Sequence, residues 1–156
     1  MKKTLLLAPL CLLAMGGCTP AVSTEPVWQE TLPETGGEMV VSNCTVSGNE
    51  PVYYTMDRDQ TEGWDQKPAL QTEGIPVVTL YGVQADQVEL RFVENIDWLY
   101  VYYDKVMPQP GLDYIQTDQD DGGIQYRLDT VYNYEFVITT PDGTDTMIVT
   151  CQRDGL

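Results

Sequence analysis

Hydrophobic and polar residues alternate along most of the chain after residue 38, and this alternation predicts β-strands. The predicted strands cover residues 39–46, 52–55, 77–83, 87–94, 98–104, 124–129, 134–140 and 146–152. Short strands at this spacing, separated by turns, are typical of a two-sheet β-sandwich. Polar, glycine- and proline-containing segments at 57–68 and 105–123 are predicted loops. No segment has the periodicity of a helix of useful length.

The same alternation assigns one face of each of four strands to the core, because successive side chains of a strand point to opposite faces. The predicted core positions are Val88, Leu90 and Phe92; Leu99, Val101 and Tyr103; Ile124, Tyr126 and Leu128; and Tyr134, Phe136 and Ile138. The last two strands are joined by Thr140-Pro141-Asp142-Gly143-Thr144, which predicts a hairpin because Asp-Gly tolerates positive φ.

Leu128, Tyr134, Phe136 and Ile138, followed by Asp142-Gly143, resemble the E–F–G region of fibronectin type III and related immunoglobulin-like domains. The resemblance covers about residues 75–156. It implies that Tyr134 is a corner tyrosine with a buried ring, and that residues 99–103 form strand C. We therefore expect an all-β, immunoglobulin-like (fibronectin type III-like) two-sheet sandwich with an extra N-terminal strand.

The N-terminus has the features of a secretory signal: Lys2 and Lys3, an apolar run over residues 5–15, then Gly16-Gly17-Cys18. The run is too short for a membrane-spanning helix. The stretch resembles the lipobox of bacterial lipoproteins, which implies cleavage after residue 17 and lipidation of Cys18. The expected location is the bacterial cell envelope, lipid-anchored on the outside of the cytoplasmic membrane or on the outer membrane.

Residues 18–37 are rich in proline, threonine and glutamate and predict a flexible linker. The predicted organisation is a signal peptide at 1–17, this linker at 18–37 and a β-sandwich domain at 38–156. Within the linker, Leu32-Pro33-Glu34-Thr35-Gly36 resembles the sortase recognition pentapeptide. In that class the motif lies near the C-terminus, whereas here a folded domain follows, so we interpret the match as coincidental.

The net charge of −16, with 24 acidic and eight basic residues, disfavours nucleic acid as a partner. It suits either a solvated surface or neutral, cationic or metal-bridged partners. The chain contains no histidine, which excludes Ser-His-Asp and Cys-His catalysis. Asp118, Asp120 and Asp121 are weak candidates for a calcium site, with solvated turns as the alternative. We predict no cofactor.

Cys44 and Cys151 would remain in an exported domain, where disulfides persist. We predict one disulfide between them, which would connect an added strand to the last strand. Two unpaired buried thiols are the alternative.

If residues 99, 101 and 103 face the core, Trp98, Tyr100 and Tyr102 face outward. The leading hypothesis is a non-catalytic recognition module that uses this aromatic face to bind a glycan or a protein. Alternatively, residues 50–70 cover the three aromatics. The other functional hypotheses are a structural or assembly accessory protein of the envelope and, with less support, a glycosidase with paired carboxylates.

Overall fold

The computed structural model describes residues 23–55, 65–97, 100–103, 114–128 and 133–152, and these residues are almost entirely β-structure. This confirms the predicted all-β class. Eleven strands follow in chain order: β1 Pro26–Thr31, β2 Glu38–Gly48, β3 Val52–Thr55, β4 Asp65–Lys67, β5 Ala69–Tyr81, β6 Val88–Asp97, β7 Tyr100–Tyr103, β8 Ile115–Asp118, β9 Ile124–Arg127, β10 Asn133–Thr140 and β11 Gly143–Gln152. One turn of 3-10 helix, Ala85–Gln87, precedes β6.

The long strand β5 belongs to two sheets. Its residues 69–73 pair in parallel with β11, and its residues 77–80 pair antiparallel with β9. On its other side, β2 pairs with nearly the whole of β5. Hydrogen bonds thus connect all eleven described strands, and the connected sheet branches at β5. The first branch, which is the first sheet of the sandwich, runs β1-β2-β5-β9-β8, and the second branch, which is the second sheet, runs β5-β11-β10-β6-β7-β3-β4.

A bend in β2 and β5 lets the two halves of β5 pair differently. The β2–β5 register shifts between Ser42 and Cys44, where Asn43 has a φ of 61° and lies near Gly74, whose φ is 109°. The Asn43 side-chain amide donates a 2.9 Å hydrogen bond to the carbonyl of Ile75. Extra residues of this kind bend a strand and increase its twist.

Aromatic residues from both sheets meet in the main core. The ring centroids of Tyr126 on β9 and Phe136 on β10 are 5.5 Å apart, and the two rings pack edge to face. The ring centroid of Tyr114 lies 6.0 Å from that of Tyr126 and 6.2 Å from that of Tyr134. Burial raises the pKa of Tyr126 above its ordinary value. The face-to-face packing of side chains from β9 and β10 makes the fold a two-sheet sandwich.

The predicted inner faces of β9 and β10 are confirmed, because all six side chains are 5% exposed or less: Ile124, Tyr126, Leu128, Tyr134, Phe136 and Ile138. Leu90 is also buried and Val88 is partly buried against the core. The side chains of residues 92–103 lie outside the described part of the structure. The predicted hairpin is confirmed by the pairing of Thr140 with Gly143.

The opposite face of the second sheet is also covered. Val52, Ala69 and Ile148 are each 2% exposed or less, yet they do not belong to the main core. The side chain of Glu135 is fully buried on this face as well. Both faces of β10 are therefore buried, so it is a central strand rather than a strand with one solvated face.

Three strands form where the sequence predicted a linker or loops. β1 lies within the predicted linker, and β4 and β8 lie within predicted loops. In β1 and β8, Trp28 is the single residue that is not exposed, so these edge strands lack the alternation on which the prediction relied. The folded domain thus begins near residue 26 rather than at residue 38.

The neighbour of β10 also differs from the expectation. The resemblance placed residues 99–103 on strand C, which would lie beside the strand that carries Tyr134. In the structure that neighbour is β6, and β7 lies one strand further out. The two-sheet sandwich is observed, and its assignment to the immunoglobulin or fibronectin type stays an expectation.

The predicted disulfide between Cys44 and Cys151 is not seen in the structure. The physical reason is that β5 lies between them. Cys44 pairs with Gly74 on one side of β5, and Cys151 pairs with Thr72 on the other. Two strand spacings amount to about 9.6 Å, which exceeds the Cα separation of about 7 Å that a disulfide tolerates.

The sortase-like pentapeptide is the turn between β1 and β2. Leu32 is 3% exposed and belongs to the core, and its carbonyl accepts a hydrogen bond from the amide of Gly36, whose φ is 76°. The carboxylate of Asp145 accepts hydrogen bonds from the amides of Glu34, at 3.0 Å, and Thr35, at 2.7 Å. Packing and turn geometry therefore account for this sequence.

Replacement of Asp145 by alanine should destabilise the domain. The substitution leaves the amides of Glu34 and Thr35 without their acceptor, and we expect a loss of about 1–3 kcal/mol in the free energy of unfolding. Urea denaturation measures it. Asp142→Ala, in the exposed hairpin loop, is the control and should change stability by less than about 0.5 kcal/mol. Equal effects of the two substitutions would contradict the role of Asp145.

The Cys44 thiol should react slowly in the folded protein. Burial raises its pKa from 9.0 to about 11, so its thiolate fraction near pH 8 falls about 100-fold. The pKa of Cys44 is higher in the folded state than in the unfolded state. The contribution of this thiol to the free energy of unfolding is therefore fully present below about pH 9 and is lost as the pH rises further.

Iodoacetamide labelling without reductant, with and without denaturant, measures this reactivity by peptide mass. Label should reach Cys44 and Cys151 in the unfolded chain and reach Cys44 about 100 times more slowly in the folded one. Recovery of a disulfide-linked peptide pair would contradict the separation of the two cysteines by β5. The Cys44→Ser variant identifies the peptide.

Candidate functional site

The predicted aromatic face is described only in part. Trp98 lies outside the described residues, and for Tyr100 and Tyr102 the structure describes the backbone within β7. The exposure of these three side chains is therefore not tested, and their role in binding stays a prediction.

The backbone of β7 pairs with that of β6, with position 102 beside Glu94 and position 103 beside Val93. Which face of the sheet the three aromatic side chains occupy stays a prediction.

A surface groove offers a better defined site. It has a volume of about 420 Å³ and is lined by Trp28, Glu30, Asn49, Pro51, Gln66, Lys67, Pro68, Ala69 and Met147. We call it the β1–β4 groove. Its walls come from β1, the β2–β3 connection, β4, the start of β5, and β11. This volume lies in the range of small-molecule sites.

The groove is held from behind by the sheets that surround it. Trp28 is partly buried and packs against the main core, so one side of its indole is fixed. Gln71, which is 8% exposed, donates a 3.1 Å hydrogen bond to the carbonyl of Glu50 and so anchors the β2–β3 connection. The amide of Ile148 donates to the carbonyl of Pro68 at 3.0 Å. These contacts connect the walls of the groove to the core and to the neighbouring strands.

An ion pair lies behind the groove wall. The ammonium of Lys67 lies 2.5 Å from Oε2 of Glu135, and the two side chains are 18% and 0% exposed. Arg91 lies 3.9 Å from Oε1 of the same carboxylate, and Oε1 has no hydrogen-bond partner in the described part of the chain. A buried carboxylate of this kind destabilises the folded state unless a cation pairs with it. The charge of Lys67 is thus matched by Glu135 rather than offered to the groove.

The described lining residues combine one apolar surface with a few polar groups. Trp28 provides an apolar stacking surface, and the amides of Asn49 and Gln66 provide both donors and acceptors. Glu30 is the one carboxylate among the described lining residues. Such a set can position a ligand.

The acidic turn predicted as a weak calcium candidate is organised by hydrogen bonds. One carboxylate oxygen of Asp121 accepts from the amide of Gly123 at 3.1 Å, and the other accepts from the hydroxyl of Tyr81 at 3.0 Å. Asp118 and Asp120 are exposed. Within the described ranges, no group of three or more His, Cys, Asp and Glu side chains is arranged to hold a metal ion.

Comparisons with protein-family models, with curated proteins and with solved structures found no match. Within the described residues, no helix has the length and apolar character needed to cross a membrane.

Sequence reasoning missed both Trp28 and Lys67, because one fell in the predicted linker and the other in a predicted loop. A signal for Trp28 existed: a large aromatic residue beside Val27 is unusual in a flexible spacer, which is poor in aromatic and β-branched residues. No comparable signal marked Lys67, since its partner Glu135 lies 68 residues away.

The Lys67–Glu135 pair should show strong coupling in a double-mutant cycle. Lys67→Met leaves a buried carboxylate without its nearest cation, so we expect a loss of about 2–4 kcal/mol in unfolding free energy. Adding Glu135→Gln to that variant should restore at least about 1 kcal/mol. Chemical denaturation measures the free energy of unfolding of the wild type, the two single variants and the double variant.

The exposed Glu89–Arg91 pair provides the matched control, with a closest distance of 3.2 Å and side chains that are both more than 40% exposed. Glu89→Gln should cost less than about 1 kcal/mol. Additive effects of Lys67→Met and Glu135→Gln would show that the two charges do not stabilise each other.

Proposed function

We propose that this protein is a lipid-anchored recognition module of the bacterial cell envelope that binds a small ligand in the β1–β4 groove without catalysing its conversion. The observation that carries the proposal is the groove of about 420 Å³ whose wall contains a tryptophan packed against the main core. Concave sites of this size with an aromatic wall and a few polar groups are typical of ligand binding.

The anchoring part of the proposal rests on the sequence of the first eighteen residues. A short apolar segment followed by Gly16-Gly17-Cys18 would be cleaved before Cys18 and acylated there. Two or more acyl chains give lasting membrane attachment. The strand β1 begins at Pro26, so a short spacer separates the anchor from the domain.

The recognition part rests on the groove rather than on the aromatic residues of β7. The groove residues all lie in the described part of the chain, and their surroundings explain why they are fixed. The alternative function is a structural or assembly accessory protein of the envelope, which would need no ligand in the groove.

The test of anchoring is fractionation of a bacterial host that expresses the full chain. Wild-type protein should partition with membranes, and Cys18→Ala should appear in the soluble fraction or persist as an uncleaved precursor. Cys44→Ser is the matched control and should leave the partition unchanged. A Cys18→Ala protein that is fully processed and membrane-bound would refute the anchor.

The test of recognition is a thermal-unfolding screen of the full chain in a polyoxyethylene detergent. The probes are small neutral, cationic and peptidic compounds representative of envelope material. A ligand that binds the folded state raises the unfolding temperature, and that increase should vanish in Trp28→Ala. The absence of any Trp28-dependent increase would favour the accessory function.

A further inference from the structure

We infer that the ligand of the β1–β4 groove is a neutral saccharide, with one sugar ring stacked on Trp28 and its hydroxyl groups bonded to the amides of Asn49 and Gln66. This inference rests on the proposed function, because it assigns a ligand class to the same groove. Four features of the groove support it: its aromatic wall, its uncharged polar groups, its charge and its size.

The aromatic wall suits a sugar ring. Trp28 is the only residue of β1 that is not exposed, and it is packed against the main core on one side while it lines the groove. A fixed indole offers a flat apolar surface without the entropic cost of ordering a mobile side chain. The C–H face of a sugar ring is the apolar surface of an otherwise hydroxylated molecule.

The polar groups of the groove match hydroxyl groups. A hydroxyl group both donates and accepts hydrogen bonds, and a side-chain amide does the same. Asn49 and Gln66 contribute two such amides, and the carboxylate of Glu30 contributes acceptors. A ligand rich in hydroxyl groups satisfies all three side chains.

Charge disfavours an anionic ligand, and the aromatic content of the groove disfavours a quaternary amine. The chain carries a net charge of −16, and the ammonium of Lys67 in the groove wall is already paired with Glu135. An anion would therefore meet an unfavourable field and no unmatched cation among the described lining residues. A quaternary amine is best held by a cage of several aromatic rings, whereas the described lining includes one aromatic residue, Trp28.

Size sets the length of the saccharide. A volume of about 420 Å³ lies at the lower end of the range for small-molecule sites, which suits one or two sugar rings. The groove is partly open to solvent, so a longer glycan would extend from it. The structure thus favours recognition of a short saccharide or of one or two units of a longer neutral glycan.

The experiment is isothermal titration of the full chain in a polyoxyethylene detergent, because alkyl glycoside detergents would compete for the site. The saccharide probes are maltose, cellobiose, lactose and N,N′-diacetylchitobiose. The comparison probes are glucose 6-phosphate as an anion, choline as a cation and triglycine as a peptide. We expect at least one neutral disaccharide to bind more tightly than every comparison probe.

The variants locate the saccharide in the groove. Trp28→Ala should weaken binding at least tenfold, Trp28→Phe should weaken it less, and Asn49→Ala or Gln66→Ala should each weaken it about threefold to tenfold. Gln29→Ala is the matched control, since Gln29 is the exposed neighbour of Trp28 on β1 and does not line the groove. If Trp28→Ala fails to fold, the phenylalanine and amide variants still test the site.

The outcomes separate the two proposals. Trp28-dependent binding of choline, glucose 6-phosphate or triglycine, without saccharide binding, overturns the ligand class and leaves the recognition function standing. Saccharide binding that none of the groove variants changes overturns this inference, because the sugar then lies elsewhere. No binding of any probe overturns the saccharide inference, and together with a negative thermal screen it also overturns the recognition function.

Discussion

The bend that β2 and β5 share is the constraint on which the rest of the architecture depends. Asn43 has a positive φ and its amide holds the carbonyl of Ile75, so the chain changes direction at one defined place. Before the bend, β5 pairs with β11, and after it β5 pairs with β9. If β5 ran straight, the strands would continue as one open layer, and the aromatic residues of β9 and β10 would not face each other.

The groove is a further product of the same arrangement. β1 belongs to the sheet that contains β9, whereas β4 and the start of β5 belong to the sheet that contains β10. The groove therefore lies where parts of both sheets meet. The buried carboxylate of Glu135 binds β4 to the central strand β10 through Lys67 and so fixes one wall of the groove. This ion pair thus contributes both to stability and to the position of one groove wall.

The sequence predicted the strands whose side chains face a single core and missed those that do not. Tyr134, Phe136 and Ile138 alternate with less apolar residues, and the predicted strand 134–140 lies within the observed strand. β1 and β8 bury almost nothing, so no periodicity marked them. The predicted disulfide between Cys44 and Cys151 is not seen in the structure, because β5 separates the strands that carry them. The number of cysteines in a chain does not reveal such a separation.

The groove was not predictable for a related reason. It brings together residues 28, 49, 66 and 147. These residues are distant in the sequence, and the four segments that contain them have different patterns of apolar and polar residues. Local patterns report which face of a strand is apolar, whereas a site of this kind depends on how the sheets meet. Trp98, Tyr100 and Tyr102, by contrast, occupy alternate positions of one short segment, which is a local pattern that the sequence displays directly.

The central position of β11 makes the second sheet depend on a strand that is synthesised after both of its neighbours. β11 lies between β5 and β10, and one of its contacts, from the hydroxyl of Thr72 to the carbonyl of Thr150, joins residues 78 positions apart. Such non-local pairing forms slowly, and until β11 arrives both neighbouring strands have an unpaired edge. A chain that emerges gradually from a ribosome or a translocation pore would therefore keep both edges open until β11 has emerged. A chain truncated before β11 would present these open edges to proteases.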